Sequence, residues 1–217
     1  MAAGEGRRLR PLTERYAKPV LPVDGRPVVI TLLHELVAAG FRSVTVVTGH
    51  LGEQVESLLA GFPLDLHFVL QPEAIGSADA VRRAAATPPY LAVAADTVFG
   101  TRDVGRFAAA AGEEGAIAWR PDARPGRSRL GIEGGRVRRV VDDDPDNPHA
   151  SAPLWLVGRA VHERLRELPG PPFELAAAFQ AAIDAGTSIG AVEIGPTRDL
   201  TDPLDLIELN FPYLRSM

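Results

Sequence analysis

The feature that most constrains the fold is a regular alternation between residues 27 and 119. Short apolar runs of strand length alternate there with segments whose apolar residues recur every three or four positions, as on one face of a helix. The predicted helices are 27–39, 52–60, 78–86 and 104–111, and the predicted strands are 43–47, 64–70, 90–95 and 115–119. This order, with its short links, predicts a parallel sheet covered by helices on both faces.

Beyond residue 121 the regular alternation gives way to a mixed pattern. The predicted elements are a loop at 121–128, a hairpin with strands 130–133 and 137–141 around Gly134-Gly135, a loop at 142–148, strands at 154–157 and 189–194, and helices at 161–168, 174–185 and 203–213. The chain has no internal repeat and no long linker. We therefore expect a single domain over 1–217, with a small β-hairpin subregion over the mouth of the sheet.

The composition of the 217 residues limits the classes of function. A net charge of -5 disfavours general nucleic-acid binding, so any bound anion must be held locally. The chain has no cysteine, which excludes disulfides and thiolate metal sites. No apolar run approaches the roughly 20 residues that span a bilayer, and no signal peptide is visible. We expect a cytoplasmic protein with neither a membrane nor a nucleic-acid partner.

A glycine-rich, basic segment at 2–13 predicts a phosphate-binding loop. Gly4 and Gly6 let backbone N–H groups approach phosphate oxygens closely, and the three arginines that follow match phosphate geometry. The dinucleotide-binding fingerprint is excluded because Leu9 stands where its third glycine is required, and the Walker loop because its Gly-Lys pair is missing. Taken alone, the segment fits a flexible basic tail equally well. Lys18, the one lysine of the chain, also fits a solvated surface residue.

Several segments together resemble the sugar-phosphate nucleotidyltransferase family. The segments are Gly4-Glu5-Gly6-Arg7-Arg8-Leu9-Arg10-Pro11-Leu12-Thr13, Lys18-Pro19-Val20-Leu21-Pro22-Val23, Gln71 with Ile75-Gly76-Ser77-Ala78-Asp79-Ala80, Val93-Ala94-Ala95-Asp96, and Asp199-Leu200-Thr201-Asp202-Pro203. The length resembles that of compact members, such as N-acetylmuramate 1-phosphate uridylyltransferase and the mannose- and heptose-1-phosphate guanylyltransferases. The resemblance implies a Rossmann-like three-layer α/β sandwich with a mostly parallel sheet, of the nucleotide-diphospho-sugar transferase type. It places nucleotide binding in about 1–120 and acceptor binding in about 121–217.

The resemblance also implies a reaction and a role for each matching residue. An acceptor phosphate oxygen attacks the α-phosphorus of a nucleoside triphosphate (NTP), so catalysis needs positioning and charge neutralisation rather than a protein nucleophile. The implied catalytic residues are Arg8, at the β- and γ-phosphates, and Lys18, at the α-phosphate. The implied nucleotide-binding residues are Ala3, Gly4, Glu5, Gly6, Arg7, Gln71, Gly76 and Ser77, and the implied Mg²⁺ ligands are Asp96 and Asp199. Gln71 and Gly76 are expected to contact the base, although a polar strand end and an ordinary turn glycine fit them too. Each aspartate also fits a turn or helix-cap role.

Two departures from the family pattern bear on the site. Asp144 stands where members often have a lysine that grips the sugar phosphate, so another cation must bind the acceptor, and Arg129 is a candidate. In the family the loop follows an apolar central strand of four or five residues, whereas only Met1-Ala2-Ala3 precede Gly4 here. We therefore expect either a sheet that lacks most of a central strand or a poorly ordered loop.

The expected function is a Mg²⁺-dependent nucleotidyltransferase whose partners are an NTP and a sugar 1-phosphate. A second hypothesis is a nucleotidyltransferase-like module that has lost turnover and serves as a regulatory or scaffolding subunit. A third is transfer to another phosphorylated acceptor, such as phosphocholine or a molybdopterin, although molybdopterin enzymes lack the Lys-Pro-x-Leu-Pro string. A dinucleotide-binding oxidoreductase is disfavoured, because this chain lacks the third glycine of the dinucleotide-binding fingerprint. The sequence does not determine which base the NTP carries or which sugar accepts the nucleotidyl group. A homo-oligomer is possible.

Overall fold

The computed structural model describes residues 1–122 and 127–211. The strands are β1 (Pro22–Val23), β2 (Arg26–Pro27), β3 (Ser43–Thr48), β4 (Asp65–Leu70), β5 (Tyr90–Val93), β6 (Thr97–Val98), β7 (Gly115–Pro121), β8 (Gly131–Glu133), β9 (Arg136–Arg139), β10 (His149–Val157), β11 (Gly190–Glu193) and β12 (Arg198–Asp199). The helices are α1 (Val28–Ala38), α2 (Gly52–Leu59), α3 (Ser77–Arg83), α4 (Asp103–Ala110), α5 (Arg159–Arg164), α6 (Leu175–Asp184) and α7 (Pro203–Asn210). Short 3₁₀ turns occupy Arg7–Leu9, Leu12–Glu14 and Lys18–Val20.

The helices and the longer strands lie where the sequence pattern predicts them, with shifted ends. The strand predicted at 154–157 is the second half of β10, which begins at His149. The short pairs β1–β2 and β6–β12 were not predicted, because strands of two residues carry no apolar periodicity. Positions 123–126 of the predicted loop and 212–213 of the predicted last helix lie outside the described residues.

The larger sheet has the strand order β5-β10-β7-β11-β9-β8. Strand β11 runs parallel to β7, whereas β10 runs antiparallel to both of its neighbours. A separate parallel pair is formed by β3 and β4. The hairpin β8–β9 turns at Gly134 and Gly135, both with positive φ, and joins the sheet through β11. The predicted α/β class is therefore confirmed, but the larger sheet is mixed rather than mostly parallel, because β10 and the hairpin β8–β9 run antiparallel to their neighbours.

Helices cover the two faces of this sheet. Ala116 and Ala118 of β7 pack in one apolar cluster with α1 and α4, while Ile117 between them packs in a second cluster with α3, α5 and α6. Successive side chains of a strand point to opposite faces, so these two clusters are the two layers of a three-layer sandwich. Within the described ranges, no helix is both long and apolar enough to cross a membrane.

Residues Met1–Ala3 lie between β3 and β5 and connect the two sheets. Ala2 donates its N–H to the carbonyl oxygen of Val47 at 2.8 Å, and the amine of Met1 donates to the carbonyl oxygen of Val93 at 2.8 Å. The N–H of Ala95 in turn donates to the carbonyl oxygen of Met1 at 2.9 Å. These bonds pair Met1–Ala3 with both neighbours in the parallel direction, so these three residues occupy the position between β3 and β5.

Candidate active site

A cavity of about 660 Å³ opens beside the N-terminal loop. Its walls come from that loop, the segment between β4 and α3, the residue pair after β5, and β10 with the start of α6. Nine of the twelve predicted site residues line it: Ala3, Gly4, Gly6, Arg8, Lys18, Gln71, Gly76, Ser77 and Asp96. The ends of neighbouring parallel strands meet at one edge of a sheet, which is why residues so distant in sequence converge.

The shape of the N-terminal loop is set by its own packing. Gly6 has φ 63°, and a Cβ atom there would lie 2.8 Å from Cγ2 of Thr13. The buried Thr13 donates its hydroxyl to the carbonyl oxygen of Gly6 at 2.9 Å, and the side chain of Leu9 is fully buried. Around Gly4, by contrast, no atom of the described residues lies within 4 Å of the Cβ position. The loop is therefore held in place while the space beside Gly4 stays open to a ligand.

Glu5 and Arg7 do not line the cavity and pair with each other. Nε of Arg7 lies 2.8 Å from a carboxylate oxygen of Glu5, and the Arg7 side chain is 76% exposed. The hydrogen bond and charge of this guanidinium hold the pKa of Glu5 below its usual value. The structure does not bring these two side chains to the cavity, and their roles in nucleotide binding stay predictions.

Lys18 and Asp96 form a close ion pair in the cavity wall, although 78 positions separate them. Lys18 begins the third 3₁₀ turn, and Asp96 lies between β5 and β6. Their side chains are 15% and 30% exposed, so both reach the open space. A cation and a carboxylate side by side can contact a phosphate oxygen and a metal ion, respectively.

Gln71 is buried, and its amide group is oriented by two acceptors. Its Nε2 donates to the carbonyl oxygen of Gly76 at 3.1 Å and to a carboxylate oxygen of Asp79 at 3.0 Å. Neither partner can donate when Asp79 is ionised, so the nitrogen must face them and Oε1 is left outside these bonds. Asp79 also accepts from Arg82 at 2.7 Å and from Arg83 at 2.6 Å.

The charge state of Asp79 follows from the same contacts. Burial raises the pKa of this carboxyl, but the hydrogen bonds from Arg83, Gln71 and Arg82 outweigh burial and leave the pKa below its usual value. Sequence reasoning missed this residue. The arginines three and four positions after Asp79 on α3 were the available signal, because residues at that spacing share a helix face.

Gly76 lies where no other residue fits. Its φ is 124°, and a Cβ atom would come within 2.2 Å of the carbonyl oxygen of Phe173. Backbone bonds join the two segments, from Phe173 to Ile75 and from Ala78 to Phe173. Ser77 donates its hydroxyl to Glu174 at 2.6 Å. This close approach brings Glu174 to the cavity, where Ser128, Ser151 and Trp155 also line the wall. Sequence reasoning missed these four residues, since no local motif marks them.

Asp199 is not among the residues that line the cavity. Its backbone pairs with Thr97, directly after Asp96. One carboxylate oxygen accepts from the hydroxyls of Thr97 and Thr197, both at 3.0 Å. The other accepts from Arg120 at 2.7 Å and from Arg127 at 3.2 Å. A carboxylate has about four lone-pair sites, so these donors fill them, and a metal ion could bind Asp199 only if some of them moved.

Two residues that the sequence analysis expected at the acceptor, Arg129 and Asp144, lie outside the cavity lining. Arg129 is buried, donates to the carbonyl oxygens of Asp122 and Asn147, and does not line the cavity. Asp144 does not line it either, and its carboxylate accepts a hydrogen bond from the N–H of Asp146 within its own loop. The structure therefore places neither Asp144, expected in place of the lysine that grips the sugar phosphate, nor Arg129, expected as the alternative cation, in the cavity lining. Among the described lining residues, the basic side chains are Arg8 and Lys18.

Among curated proteins, the chain is similar in sequence to several nucleotidyltransferases. Over 100% of the chain, it is 27% identical to a glucose-1-phosphate thymidylyltransferase of Streptomyces antibioticus, covering 66% of that protein. It is 35% identical over 92 residues to an N-acetylmuramate alpha-1-phosphate uridylyltransferase of Neisseria meningitidis serogroup B, covering 42% of this chain and 40% of that protein. It is 43% identical over 63 residues to a 2-aminoethylphosphonate cytidylyltransferase of Lancefieldella rimae, covering 29% of this chain and 26% of that protein. The chain spans no more than 66% of the length of these relatives.

Solved structures share the fold. An apo UDP-glucose pyrophosphorylase superposes with a TM-score of 0.83 at 17% identity, covering 99% of this chain and 96% of that one. An inositol-1-phosphate CTP transferase from T. maritima superposes with a TM-score of 0.82 at 15% identity, covering 94% and 88%. The family model described as "MobA-like NTP transferase domain" matches residues 1–182. With most of its length matched and its cavity lined by the residues of the motif, the chain belongs to the family of MobA-like NTP transferase domains.

Proposed function

We propose that this chain transfers a nucleotidyl group from an NTP to a sugar 1-phosphate and releases pyrophosphate. The observation that carries the proposal is the ion pair of Lys18 and Asp96 in the wall of the cavity that Gly4 also lines. The names of the relatives support the same reaction, since each is a transferase of a nucleotidyl group to a phosphorylated acceptor. An enzyme working in the cytoplasm is consistent with this chemistry.

The reaction needs no covalent intermediate with the protein. A phosphate oxygen of the acceptor forms a bond to the α-phosphorus, the bond from that phosphorus to the oxygen bridging to the β-phosphate breaks, and pyrophosphate leaves with both electrons of that bond. Lys18 stabilises the charge that grows on the α-phosphate, and Arg8 binds the leaving phosphates. The N–H groups around Gly4 position the triphosphate for in-line attack.

Magnesium is part of the proposal, and the two aspartates fit it unequally. Asp96 fits, because its carboxylate is partly exposed in the cavity wall. Within 1–122 and 127–211 no three carboxylate or imidazole groups converge, so phosphate oxygens and water must complete the coordination. When bound, Mg²⁺ supplies charge neutralisation at the phosphates. That Asp199 is a second ligand stays a prediction, and it requires that Arg120 and Arg127 release the carboxylate.

Direct binding of Mn²⁺, a magnesium substitute with an electron paramagnetic resonance signal, separates the two aspartates. With an NTP present, we expect Asp96→Asn to weaken Mn²⁺ binding at least about tenfold. If Asp199 is a ligand, Asp199→Asn weakens binding to a similar degree. If Asp199 only holds the two arginines, Asp199→Asn leaves Mn²⁺ affinity unchanged and lowers thermal stability. Unchanged affinity in Asp96→Asn contradicts its assignment to the metal.

Pyrophosphate release with each NTP and a set of sugar 1-phosphates tests the reaction itself. We expect one combination to turn over, and Lys18→Gln to lower kcat/KM by about 10²–10³-fold, as for the loss of one donor to a developing charge. Arg164→Gln is the matched control, because Arg164 pairs with Glu167 on an exposed surface outside the cavity lining. Nucleotide binding without release for any acceptor supports instead the hypothesis of a module that has lost turnover.

A second candidate function is transfer to an acceptor that carries an amine. The acceptor side of the cavity contains the carboxylate of Glu174 and the ring of Trp155, two groups that attract an ammonium ion. One relative is named for 2-aminoethylphosphonate, which carries such a group. Adding this compound to the acceptor series tests the candidate. Turnover with it, lost in Glu174→Gln, favours the amine acceptor, and turnover with sugar 1-phosphates alone excludes it.

A further inference from the structure

The segment between the N-terminal loop and Lys18 is held by a side chain of helix α2. Two backbone groups of this segment, the carbonyl oxygen of Arg15 and the N–H of Ala17, bond to Gln54 in the first turn of α2. Oε1 of Gln54 accepts from Ala17 at 2.8 Å, and Nε2 donates to Arg15 at 2.8 Å. Because an N–H only donates and a carbonyl oxygen only accepts, the two bonds fix the orientation of the amide.

The loop that precedes α2 holds the same segment at a further point. Nε2 of His50 donates to the carbonyl oxygen of Thr13 at 2.6 Å. The hydroxyl of Thr13 in turn donates to the carbonyl oxygen of Gly6 in the N-terminal loop. Residues 13–17 are thus held by one bond from His50 and by two bonds to Gln54.

The bond at Ala17 acts directly on the backbone of Lys18. Ala17 is buried and packs in the same apolar cluster as Val55 of α2. Its carbonyl oxygen accepts from the N–H of Val20, which closes the 3₁₀ turn that begins at Lys18. With its N–H bonded to Gln54, both backbone polar groups of Ala17 are engaged. The planar peptide group that joins Ala17 to Lys18 therefore has one defined orientation.

The reaction proposed above depends on this backbone orientation. The ammonium group of Lys18 pairs with the carboxylate of Asp96. In the proposed reaction that carboxylate also binds Mg²⁺, so it cannot hold Lys18 alone. A lysine side chain is a flexible four-carbon stem, and the reach of its ammonium group depends on where the backbone places the stem. A displacement of about 1 Å can lower a rate about 10²-fold.

We propose that Gln54 is a positioning residue for Lys18. Its two hydrogen bonds fix the backbone of Arg15–Ala17, and that backbone sets the point from which the ammonium group of Lys18 enters the cavity. Gln54 does not line the cavity, so it acts through Lys18 rather than at the substrate. The catalytic part of this inference rests on the proposed function, whereas the positioning of the Lys18 backbone does not.

The first test needs no substrate. The chain has one lysine, so labelling with ¹⁵N-lysine gives a single backbone amide signal in NMR spectra. Gln54→Met keeps the length of the side chain and removes both amide hydrogen bonds. We expect the order parameter of the Lys18 amide to fall from about 0.85 to below about 0.6 in this variant. Glu53→Met is the matched control at the exposed neighbouring position of α2. An unchanged order parameter in Gln54→Met, or an equal fall in both variants, overturns the proposal.

The second test measures turnover with the NTP and the acceptor that react. We expect Gln54→Met to lower kcat about tenfold and to change KM for the NTP by less than about twofold. Gln54→Glu keeps the acceptor for the N–H of Ala17, so we expect a smaller loss of kcat. When Gln54→Met is added to Lys18→Gln, we expect no further loss, because a residue that acts through Lys18 has no ammonium group left to position.

Two outcomes of the kinetic test separate the proposal from its alternatives. If the losses of Gln54→Met and Lys18→Gln multiply in the double variant, Gln54 acts independently of Lys18 and the proposal is overturned. If no NTP and acceptor react in the unsubstituted chain, the proposed function fails, and the order parameter alone decides whether Gln54 positions Lys18.

Discussion

At the scale of single residues, the site depends on side chains whose orientation a buried partner determines. Gln71 illustrates this, since its amide can serve base recognition only if the carbonyl end faces the cavity. The carboxylate of Asp79 is fully buried and fixes that orientation, while Arg82 and Arg83, partly exposed, neutralise its charge. We therefore propose that Asp79 is a positioning residue, which acts through Gln71 rather than by touching the substrate.

Replacing Asp79 is expected to change base selectivity more than overall activity. In Asp79→Ala the amide of Gln71 loses its second acceptor and can rotate, so we expect the ratio of kcat/KM between the best and second-best NTP to fall about tenfold, in line with one good hydrogen-bonding contact. Arg82→Ala is the control, because Arg82 is 52% exposed and the amide nitrogen of Gln71 donates to Gly76 and Asp79 instead. A uniform loss over all NTPs in Asp79→Ala indicates only a structural role.

At the scale of elements, the cavity arises because loops after parallel strands converge and one loop packs directly on another. The segment before α3 contacts the segment before α6 through backbone hydrogen bonds. Only a residue without a side chain allows this approach at Gly76. The contact links the wall that carries Gln71 and Gly76 to Glu174 in the opposite segment. The stability of this contact therefore affects both halves of the site.

Gly76→Ala is expected to break the contact. The added Cβ would lie 2.2 Å from a backbone oxygen, at a φ of 124° that other residues rarely adopt. We expect the free energy of unfolding to fall by at least about 2 kcal/mol in urea titrations, together with weaker nucleotide binding. Gly112→Ala is the matched control, because no atom lies within 4 Å of its Cβ position in the described structure. Equal stability of the two variants contradicts the packing role of Gly76.

At the scale of the whole molecule, two sheet fragments are joined at Met1–Ala3. The amine of Met1 is buried at this junction, and the nearby Asp96 offsets only part of the effect of burial on its pKa. Its pKa is about 6 in the folded chain against an ordinary value of 8.0. Above pH 8 the amine is neutral in both states, whereas below pH 6 the folded chain must bury a charge.

Stability is therefore expected to rise with pH across the window from 6 to 8. Because the folded pKa is lowered, the unfolded chain binds the proton more tightly, and the free energy of unfolding gains roughly 2–3 kcal/mol over the window from this group. Urea unfolding at pH 5.5 and pH 8.5 measures the difference. The same chain acetylated at Met1 is the control, since it lacks the titrating amine. An identical pH dependence in both forms excludes the amine as the cause.

The sequence alone determined the α/β class, the positions of the longer elements and nine of the residues that line the site. Apolar periodicity is a local property, so β3, β4 and α1 could be placed from it. The motif around Gly4, together with Lys18 and Asp96, identified residues that line one cavity. The resemblance to the family, which the match over residues 1–182 bears out, indicated the reaction.

Tertiary structure alone decided which groups face each other. The antiparallel course of β10, the burial of Arg129 and the four donors around Asp199 depend on contacts between distant segments, and no local pattern encodes them. The same holds for Asp79 beside Gln71 and for Glu174 beside Ser77. The cavity itself is the clearest case, because its walls come from segments far apart in the sequence that meet only in the folded chain.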